Sequence, residues 1–473
     1  MRRTRTVALL TLALINVFTL AAGLAVARML PARLAALKVP TIAAAQIHPA
    51  GPVLSGDTGG PMPTARGLQS ALSGPLSASA LGSGVGAVVT DPATGRVLWS
   101  QNPDELATPA STTKLATSLA ALAVLGPDAR FTTKVVQGAS PDQVILVGGG
   151  DPTLAVNAYP SQDYPQPATL ASLAAATASQ LKAEHRTKVS VDYDTSLYSG
   201  PDLAPGWSQS YVSTGDVTPI SSLEVDQGRL GKSGAPEDSD DPYNLRPRSE
   251  DPAGVAADAF AGLLKQDGIA LTQYTAGQAP AHAATIASVS SPPLSAIVQQ
   301  MLQESNNVIA ENLARHVALA AGKPASFSSA AGAEITELRH LGVTTGIRLV
   351  DGSGLSPQDG IAPATLVKVI ELAMADPRLR SLLAGLPVAG FSGTLSKGQS
   401  VFAGIGGAAV GSVRAKTGNL STVTTLAGTA ADTSGSTLAF AFMADQIPSA
   451  GLLDQAANAL DQAAAALANC GCQ

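Results

Sequence analysis

Apolar positions alternate with polar ones near both ends of the ordered part of the chain and recur at helical spacing between them. The alternating runs predict a hairpin around the turn at residues 91–95, and three later strands at residues 412–417, 422–428 and 437–444. Helical spacing predicts helices at residues 115–125, 294–302, 308–321, 363–375, 377–384 and 452–467. Because strands from both ends enclose the helices, we predict an α+β fold with an antiparallel sheet flanked by helices.

The stretch from residue 141 to residue 290 has a different pattern. Strand-like runs occur at residues 144–147, 188–192, 269–275 and 285–289, with a helix-like run at residues 255–264. These runs bring together no group of residues with an evident chemistry. We predict a smaller inserted α+β domain at residues 141–290, between two parts of the main domain at residues 83–140 and 291–468.

The amino-terminal segment has the pattern of an export signal. Arg2, Arg3 and Arg5 precede an uncharged, mostly apolar run at residues 7–27. We expect residues 1–30 to be a signal peptide or a membrane anchor, and the rest of the protein to lie outside the cytoplasmic membrane, in the periplasm or cell wall space. Membrane association is expected only through residues 7–27, if they are not cleaved.

Residues 31–82 are rich in Pro, Ala, Gly and Ser and show little periodicity. Such composition is typical of a flexible linker that carries a folded domain away from a membrane. We therefore expect order to begin near residue 83.

Composition excludes several classes of function. The chain has 473 residues, a net charge of −6 and no long basic run, which argues against nucleic acid as a partner. Its five histidines are scattered and no His-Glu-x-x-His pattern occurs, so we predict no metal site and no cofactor. Cys470 and Cys472 are so close in sequence that a bridge between them would be strained, and we expect residues 469–473 to form a frayed tail.

The start of the first predicted helix carries a candidate nucleophile. Thr108 is suited to the N-cap position and Pro109 to the first helical position, while Gly126 is suited to ending the helix. Ser111 and Lys114 are three residues apart, so their side chains share one helical face. A serine hydroxyl needs a nearby base to become a nucleophile, and a lysine with a lowered pKa can be that base.

One Ser-x-x-Lys pair is a weak signal, since Ser179 and Lys182 form a second copy that we expect to lie on a helix surface. The Ser111 copy is followed in order by two further motifs, Ser305-x-Asn307 and Lys416-Thr417-Gly418. Each of these also has a structural interpretation. Ser305 and Asn307 could cap the helix that follows them, and the lysine motif could be an ordinary strand end.

With these motifs the sequence resembles the DacB-type D-alanyl-D-alanine carboxypeptidase/endopeptidase family of low-molecular-mass penicillin-binding proteins. The resemblance extends to four further segments, at residues 150–154, 310–313, 351–356 and 393–395. It implies a penicillin-binding domain of the DD-peptidase/β-lactamase-like fold. Within these segments we expect Asp151 to be a turn former and Asp351 to be structural.

The resemblance implies a role for each motif residue. Ser111 would attack the carbonyl between the last two D-alanines of a peptidoglycan stem peptide, and Lys114 would take its proton. Ser305 would pass a proton to the leaving amine, and Asn307 would orient Lys114. Lys416 would add a cation that lowers the pKa of Lys114.

The remaining motif residues would bind the substrate. With Lys416, Thr417 would attract the terminal carboxylate, and Gly418 would leave room for the peptide along the edge strand. The backbone N–H groups of Ser111 and Asn419 would form the oxyanion hole. Position 419 is Asn where the family usually has Thr. This difference changes the side chain and leaves the backbone N–H of the oxyanion hole unaffected.

The expected function is therefore a serine-type D-Ala-D-Ala carboxypeptidase inhibited by β-lactams, with endopeptidase action left open. A β-lactamase and a non-catalytic cell-wall scaffold are the alternatives. A Glu-x-x-Leu-Asn pattern, which would support the first alternative, does not occur between Asn307 and Lys416. The intact Ser111, Lys114 and Lys416 argue against the second.

Overall fold

The computed structural model describes residues 60–472, except residues 162, 232–245, 397–399, 401 and 406. The expected signal or anchor at residues 1–30 and most of the expected linker lie outside the described residues. Within the described part of the chain, no helix is both long enough and apolar enough to cross a membrane.

The described chain contains twelve strands. In chain order they are β1 Val85–Asp91, β2 Arg96–Gln101, β3 Thr132–Gln137, β4 Gln143–Val147, β5 Lys188–Asp194, β6 Ala270–Ala276, β7 Thr285–Ser290, β8 Ile347–Arg348, β9 Gly360–Ile361, β10 Val413–Leu420, β11 Val423–Ala431 and β12 Thr437–Ala444.

The chain also contains nine longer helices among the described residues. They are α1 Ala65–Leu76, α2 Thr113–Leu125, α3 Leu170–Ala183, α4 Pro252–Gln266, α5 Leu294–Glu304, α6 Asn307–Ala320, α7 Phe327–His340, α8 Pro363–Ala375 and α9 Leu453–Ala468. The helix expected at residues 377–384 is instead two short helical turns, Pro377–Leu379 and Ser381–Ala384.

The main sheet joins the two ends of the described chain. Its strand order is β10-β11-β12-β1-β2 and every neighbouring pair is antiparallel. Helices cover both faces: α8 packs on one face and shares its apolar core with α2, α5, α6 and α7, and α1 and α9 pack on the other face. Successive residues of β1 alternate between the two cores, with Val88 in the first and Val89 in the second. The predicted α+β fold with an antiparallel sheet flanked by helices is confirmed.

A second sheet is built from residues 132–290. Its order is β6-β5-β4-β3-β7, and β4, β5 and β6 are parallel to one another. Parallel neighbours need crossover connections, which α3 and α4 provide as they pack into this sheet's own apolar core. The predicted boundary at residue 141 falls inside this sheet, because β3 begins at Thr132. The separate folding of an inserted domain stays a prediction.

The expectation of a flexible linker through residue 82 is wrong for its last part. Residues 65–76 form α1, whose Leu68, Leu72 and Leu76 are buried against the main sheet. Thr64 caps the helix by accepting a hydrogen bond from Gly67 N. These leucines recur at every fourth position, which is typical of a helix, but the small residues between them make the segment look like a linker.

The expectation of a frayed tail is also wrong. Cys470 and Cys472 are joined by a disulfide with their Cα atoms 5.0 Å apart, a usual separation for a bridge. Thr64 N donates a hydrogen bond of 2.8 Å to Cys472 O. A Cβ at Gly67 would overlap the Cys472 side chain. The tail is ordered because α1 packs directly on it.

We predict that Leu72→Ala lowers the free energy of unfolding of the full chain by about 2–5 kcal/mol, because it removes a fully buried side chain. Denaturant unfolding measures the effect. Ser73→Ala, on the exposed side of the same helix, is the matched control and should change stability little. Equal stabilities of the two variants would mean that α1 does not belong to the core.

Candidate active site

Ser111 lies in a short 3-10 turn, Ala110–Thr112, that leads into α2. The expected cap is wrong: Thr108 N instead bonds to Asp445 Oδ2, and Thr112 is the residue before the helix. Ala110 has a φ of +46°, which is uncommon for alanine. Such strained backbone conformations are concentrated at functional sites. The helix ends at Leu125 and Gly126 follows as its C-cap, as predicted.

Lys114 is fully buried one helical turn from Ser111. Its Nζ lies 2.9 Å from Ser111 Oγ, 2.7 Å from Asn307 Oδ1 and 2.8 Å from the Ser353 carbonyl oxygen. Burial lowers the pKa of Lys114 to about 7, against the opposing charges of Asp351 and Glu311. A lysine with that pKa is substantially neutral near pH 7 and can accept a proton.

Ser305 and Asn307 lie where α5 ends and α6 begins. The helix-capping interpretation is wrong for both, because Asn306 is the cap and accepts a hydrogen bond from Ile309 N. Asn307 is therefore free to accept from Lys114 through Oδ1 while its Nδ2 donates to Asp216 O. Ser305 has a φ of +55°, and its Oγ lies 2.9 Å from Lys416 Nζ.

The third motif lies on β10, the edge strand of the main sheet. Lys416 is fully buried and also donates to the Thr417 carbonyl oxygen. A Cβ at Gly418 would approach Ser111 N and Pro109 O to 2.8 Å each. Glycine is thus required here to let the Ser111 turn approach β10, and its expected role of leaving room for the peptide stays a prediction. Asn419 Oδ1 accepts a hydrogen bond from Thr424.

Burial is the largest cause of the lowered pKa of Lys114. Burial and the charge of Lys114 also lower the pKa of Lys416 well below its ordinary value. Repulsion between two neighbouring ammonium groups is mutual, so the expected influence of Lys416 on Lys114 stays a prediction. Burial and mutual repulsion therefore disfavour the state in which Lys114 and Lys416 are both protonated.

Two contacts around the site were not foreseen. Thr394, in the 3-10 turn Gly393–Leu395, places its hydroxyl 2.7 Å from the Thr417 hydroxyl. Glu311 accepts hydrogen bonds from the backbone N–H groups of Gly352 and Ser353, so it holds the turn whose carbonyl contacts Lys114. Thr394 and Glu311 both lie in segments that showed the family resemblance. Their contacts with residues distant in the sequence cannot be predicted from a local pattern.

The two aspartates that we expected to form turns do so. Asp351 accepts from Gly354 N and Ser356 N within its own turn and from Trp207 Nε1. Asp151 accepts from the backbone and the hydroxyl of Thr153. The second Ser-x-x-Lys pair, Ser179 and Lys182, is exposed on α3, as predicted.

The structure thus brings all three motifs together at the edge of one antiparallel sheet. Ser111 is partly exposed, whereas the lysines beside it are fully buried. A reachable hydroxyl in contact with a buried lysine of lowered pKa is the arrangement that a serine enzyme with a lysine base requires.

The chain belongs to the D-Ala-D-Ala carboxypeptidase 3 (S13) family, whose model matches residues 68–242 and 229–467. It is 39% identical over 443 residues to the carboxypeptidase DacB of Mycolicibacterium smegmatis, with 91% of each chain covered. It is 28% identical over 400 residues to a D-alanyl-D-alanine carboxypeptidase of Actinomadura, covering 72% of this chain and 74% of that one.

The fold is that of a solved penicillin-binding protein. Penicillin binding protein 4 (DacB) from Haemophilus influenzae superimposes with a TM-score of 0.65 at 22% identity, covering 81% of this chain and 94% of the other. The family resemblance stated from the motifs is therefore confirmed, and the chain is a serine peptidase.

Proposed function

We propose that the protein is a serine D-Ala-D-Ala carboxypeptidase that trims peptidoglycan stem peptides through an acyl-enzyme on Ser111. The observation that carries this proposal is the 2.9 Å contact between Ser111 Oγ and the buried Lys114 Nζ. Family membership supplies the substrate class, since the family is named for cleavage of the D-Ala-D-Ala bond.

In the proposed acylation, Ser111 Oγ attacks the carbonyl carbon of the penultimate D-alanine while its proton moves to Lys114 Nζ. The N–H groups of Ser111 and Asn419 would stabilise the oxyanion. The Ser305 hydroxyl, held by Lys416, would give its proton to the leaving nitrogen, which releases D-alanine, and would regain a proton from Lys114, which becomes neutral again. In deacylation Lys114 would take a proton from the attacking water and return it to Ser111 Oγ as the ester bond breaks.

The same geometry supports acylation by β-lactams. A β-lactam has a strained amide carbonyl, which Ser111 could attack, and a separate carboxylate, which Lys416 and Thr417 could bind. A crystal structure of the Haemophilus influenzae protein is described as a complex with a β-lactam. We propose that penicillin acylates Ser111 of this chain.

We also propose that the protein is exported and works in the periplasm or cell wall space. The support is in the sequence, where Arg2, Arg3 and Arg5 precede the apolar run at residues 7–27. Fractionation of cells that express the full chain tests this. Recovery of the protein from the cytoplasm would contradict it.

The direct test of activity is release of D-alanine from a peptide that ends in D-Ala-D-Ala. We expect steady release of D-alanine by the full chain, and no release of L-alanine from the same peptide ending in D-Ala-L-Ala, because the site must place one stereochemistry of leaving group beside Ser305. If only penicillin is turned over rapidly and the peptide is not cleaved, the protein is a β-lactamase.

The hydroxyl pair of Thr394 and Thr417 supports cleavage at a free carboxyl end. We predict that Thr394→Val lowers kcat/KM for the D-Ala-D-Ala peptide by about 2- to 10-fold, mainly through KM, because one hydrogen bond that orients Thr417 is lost. Initial rates measure the effect. The carboxamide of the same peptide is the control, and an equal loss on both would contradict a role in carboxylate binding.

A further inference from the structure

Glu311 lies behind the catalytic motifs, although none of the three motifs contains it. It follows Asn307 by one turn of α6 and lies on the same face of that helix. Its side chain is 0% exposed, so neither solvent nor substrate reaches it. Glutamate is almost never fully buried without a partner that compensates for the loss of water, so the partners of Glu311 indicate what it does.

Glu311 holds one side of the turn at residues 351–354. Its Oε1 accepts hydrogen bonds from Gly352 N at 3.1 Å and from Ser353 N at 2.8 Å. A Cβ at Gly352 would approach Ala314 Cβ to 2.7 Å, so the turn also packs closely on α6. The two N–H groups therefore point toward α6, and the carbonyl groups of the same residues are left for other partners.

Those carbonyl groups face α2, which carries the base. Ser353 O accepts from Lys114 Nζ at 2.8 Å, and Gly352 O accepts from Thr117 Oγ1 at 2.7 Å. Lys114 and Thr117 are three residues apart on one face of α2. The turn thus connects Glu311 to the base through the Ser353 peptide unit.

The Ser353 carbonyl determines where the lone pair of Lys114 points. A neutral amine has two N–H donors and one lone pair, and Nζ has three neighbours at hydrogen-bond distance. Two of them, Ser353 O and Asn307 Oδ1, can only accept. When both N–H groups are donated to them, the lone pair is directed at the third neighbour, Ser111 Oγ, whose proton it must take.

Glu311 also acts on Lys114 through its charge. The titratable groups that it faces are Lys114 of α2, Arg315 of α6, Glu334 of α7, and Asp351 and Asp359 near the turn. Burial raises the pKa values of Glu334 and Asp359, so both are neutral near pH 7. The carboxylates of Asp351 and Glu311 remain, and their charges favour the protonated form of Lys114 against its burial.

We propose that Glu311 is a positioning residue for Lys114. Through the Ser353 carbonyl it directs the lone pair of Nζ at Ser111 Oγ, and through its charge it determines how readily the base loses its proton. The inference rests on the proposed acylation of Ser111 with Lys114 as the base, and it adds a residue that does not touch the substrate.

The test is the rate of Ser111 acylation by penicillin as a function of pH, measured on the full chain by quenched flow and intact mass. Glu311→Gln keeps an oxygen for the two N–H groups but removes the charge. Lys114 then loses its proton at lower pH, so we expect the midpoint of the rate profile to fall by at least about 0.5 pH unit.

Glu311→Asp makes the opposite change, because it keeps the charge but shortens the side chain that holds Gly352 N and Ser353 N. With the Ser353 carbonyl displaced, the lone pair of Lys114 is misaligned. We expect the plateau rate of acylation to fall at least about tenfold. The midpoint of the profile should move less than in Glu311→Gln.

Glu334→Gln is the matched control. It is the same substitution at another buried position, but it removes no charge near pH 7, so the midpoint and the plateau should be those of the wild type. If neither Glu311 variant folds, Thr117→Val decides, since it removes only the hydroxyl that holds Gly352 O. It should lower the plateau by about 2- to 10-fold, and a wild-type rate would overturn the proposal.

An unchanged midpoint in folded Glu311→Gln would overturn the proposal, as would an equal shift in Glu334→Gln or a full plateau rate in Glu311→Asp. Failure of the proposed function gives a different result, because the wild type itself is then not acylated. The role of Glu311 falls with it in that event.

Discussion

Replacing Ser111 by alanine is expected to reduce D-alanine release by at least about 1,000-fold, the loss typical of removing an acyl-enzyme nucleophile. The variant should fold normally, because Ser111 is partly exposed and, among the described residues, its Oγ forms a hydrogen bond with Lys114 alone. The measurement is the initial rate of D-alanine release, with the unfolding temperature recorded beside it.

Ser179→Ala is the matched control for this variant. Ser179 has the same spacing to a lysine but is exposed on α3 of the second sheet. We expect full activity from Ser179→Ala. Substantial activity in Ser111→Ala would show that another group is the nucleophile, and equal losses in both variants would show a general effect on the protein.

The second large effect is expected at Lys114. Removing a general base typically costs about 10²- to 10⁴-fold in rate, so Lys114→Met should lose activity in that range. Lys114→Arg should be equally inactive, although it keeps the charge, because a guanidinium stays protonated and cannot accept a proton. Lys182→Met, the exposed counterpart, is the control. An active Lys114→Arg variant would mean that position 114 supplies charge and not basicity.

The pH profile of the wild-type enzyme tests the same role without a substitution. The base works in its neutral form, and burial lowers the pKa of Lys114 to about 7. We therefore expect kcat/KM to rise by about tenfold per unit below pH 7 and to level off above it. A rate that is constant from about pH 5.5 to 8.5 would contradict proton transfer to Lys114.

The sequence predicted those parts of the site that depend on local spacing. Ser111 and Lys114 had to share a helical face because of helix periodicity, and alternation marked the strands of the main sheet. Distant partners were not accessible in this way. The contact of Thr394 with Thr417 and that of Asn307 with Asp216 join residues 23 and 91 positions apart.

Other errors came from giving composition more weight than pattern. The small residues around Leu68, Leu72 and Leu76 suggested a linker, although the leucines repeat every fourth position as in a buried helix. The tail was misjudged for a different reason, because its order depends on contact with α1, which no local pattern shows. The cap at Asn306 could not be separated from its neighbours by residue type, since Ser and Asn both favour that position.

The central claim is that Ser111 is the nucleophile of a penicillin-sensitive serine peptidase. The most direct test is intact-mass spectrometry of the full chain after incubation with penicillin, beside Ser111→Ala and Ser179→Ala. We predict one stable penicilloyl group on the wild type and on Ser179→Ala, and none on Ser111→Ala. An adduct that persists in Ser111→Ala, or no adduct on a folded wild-type protein that leaves penicillin intact, would contradict the claim.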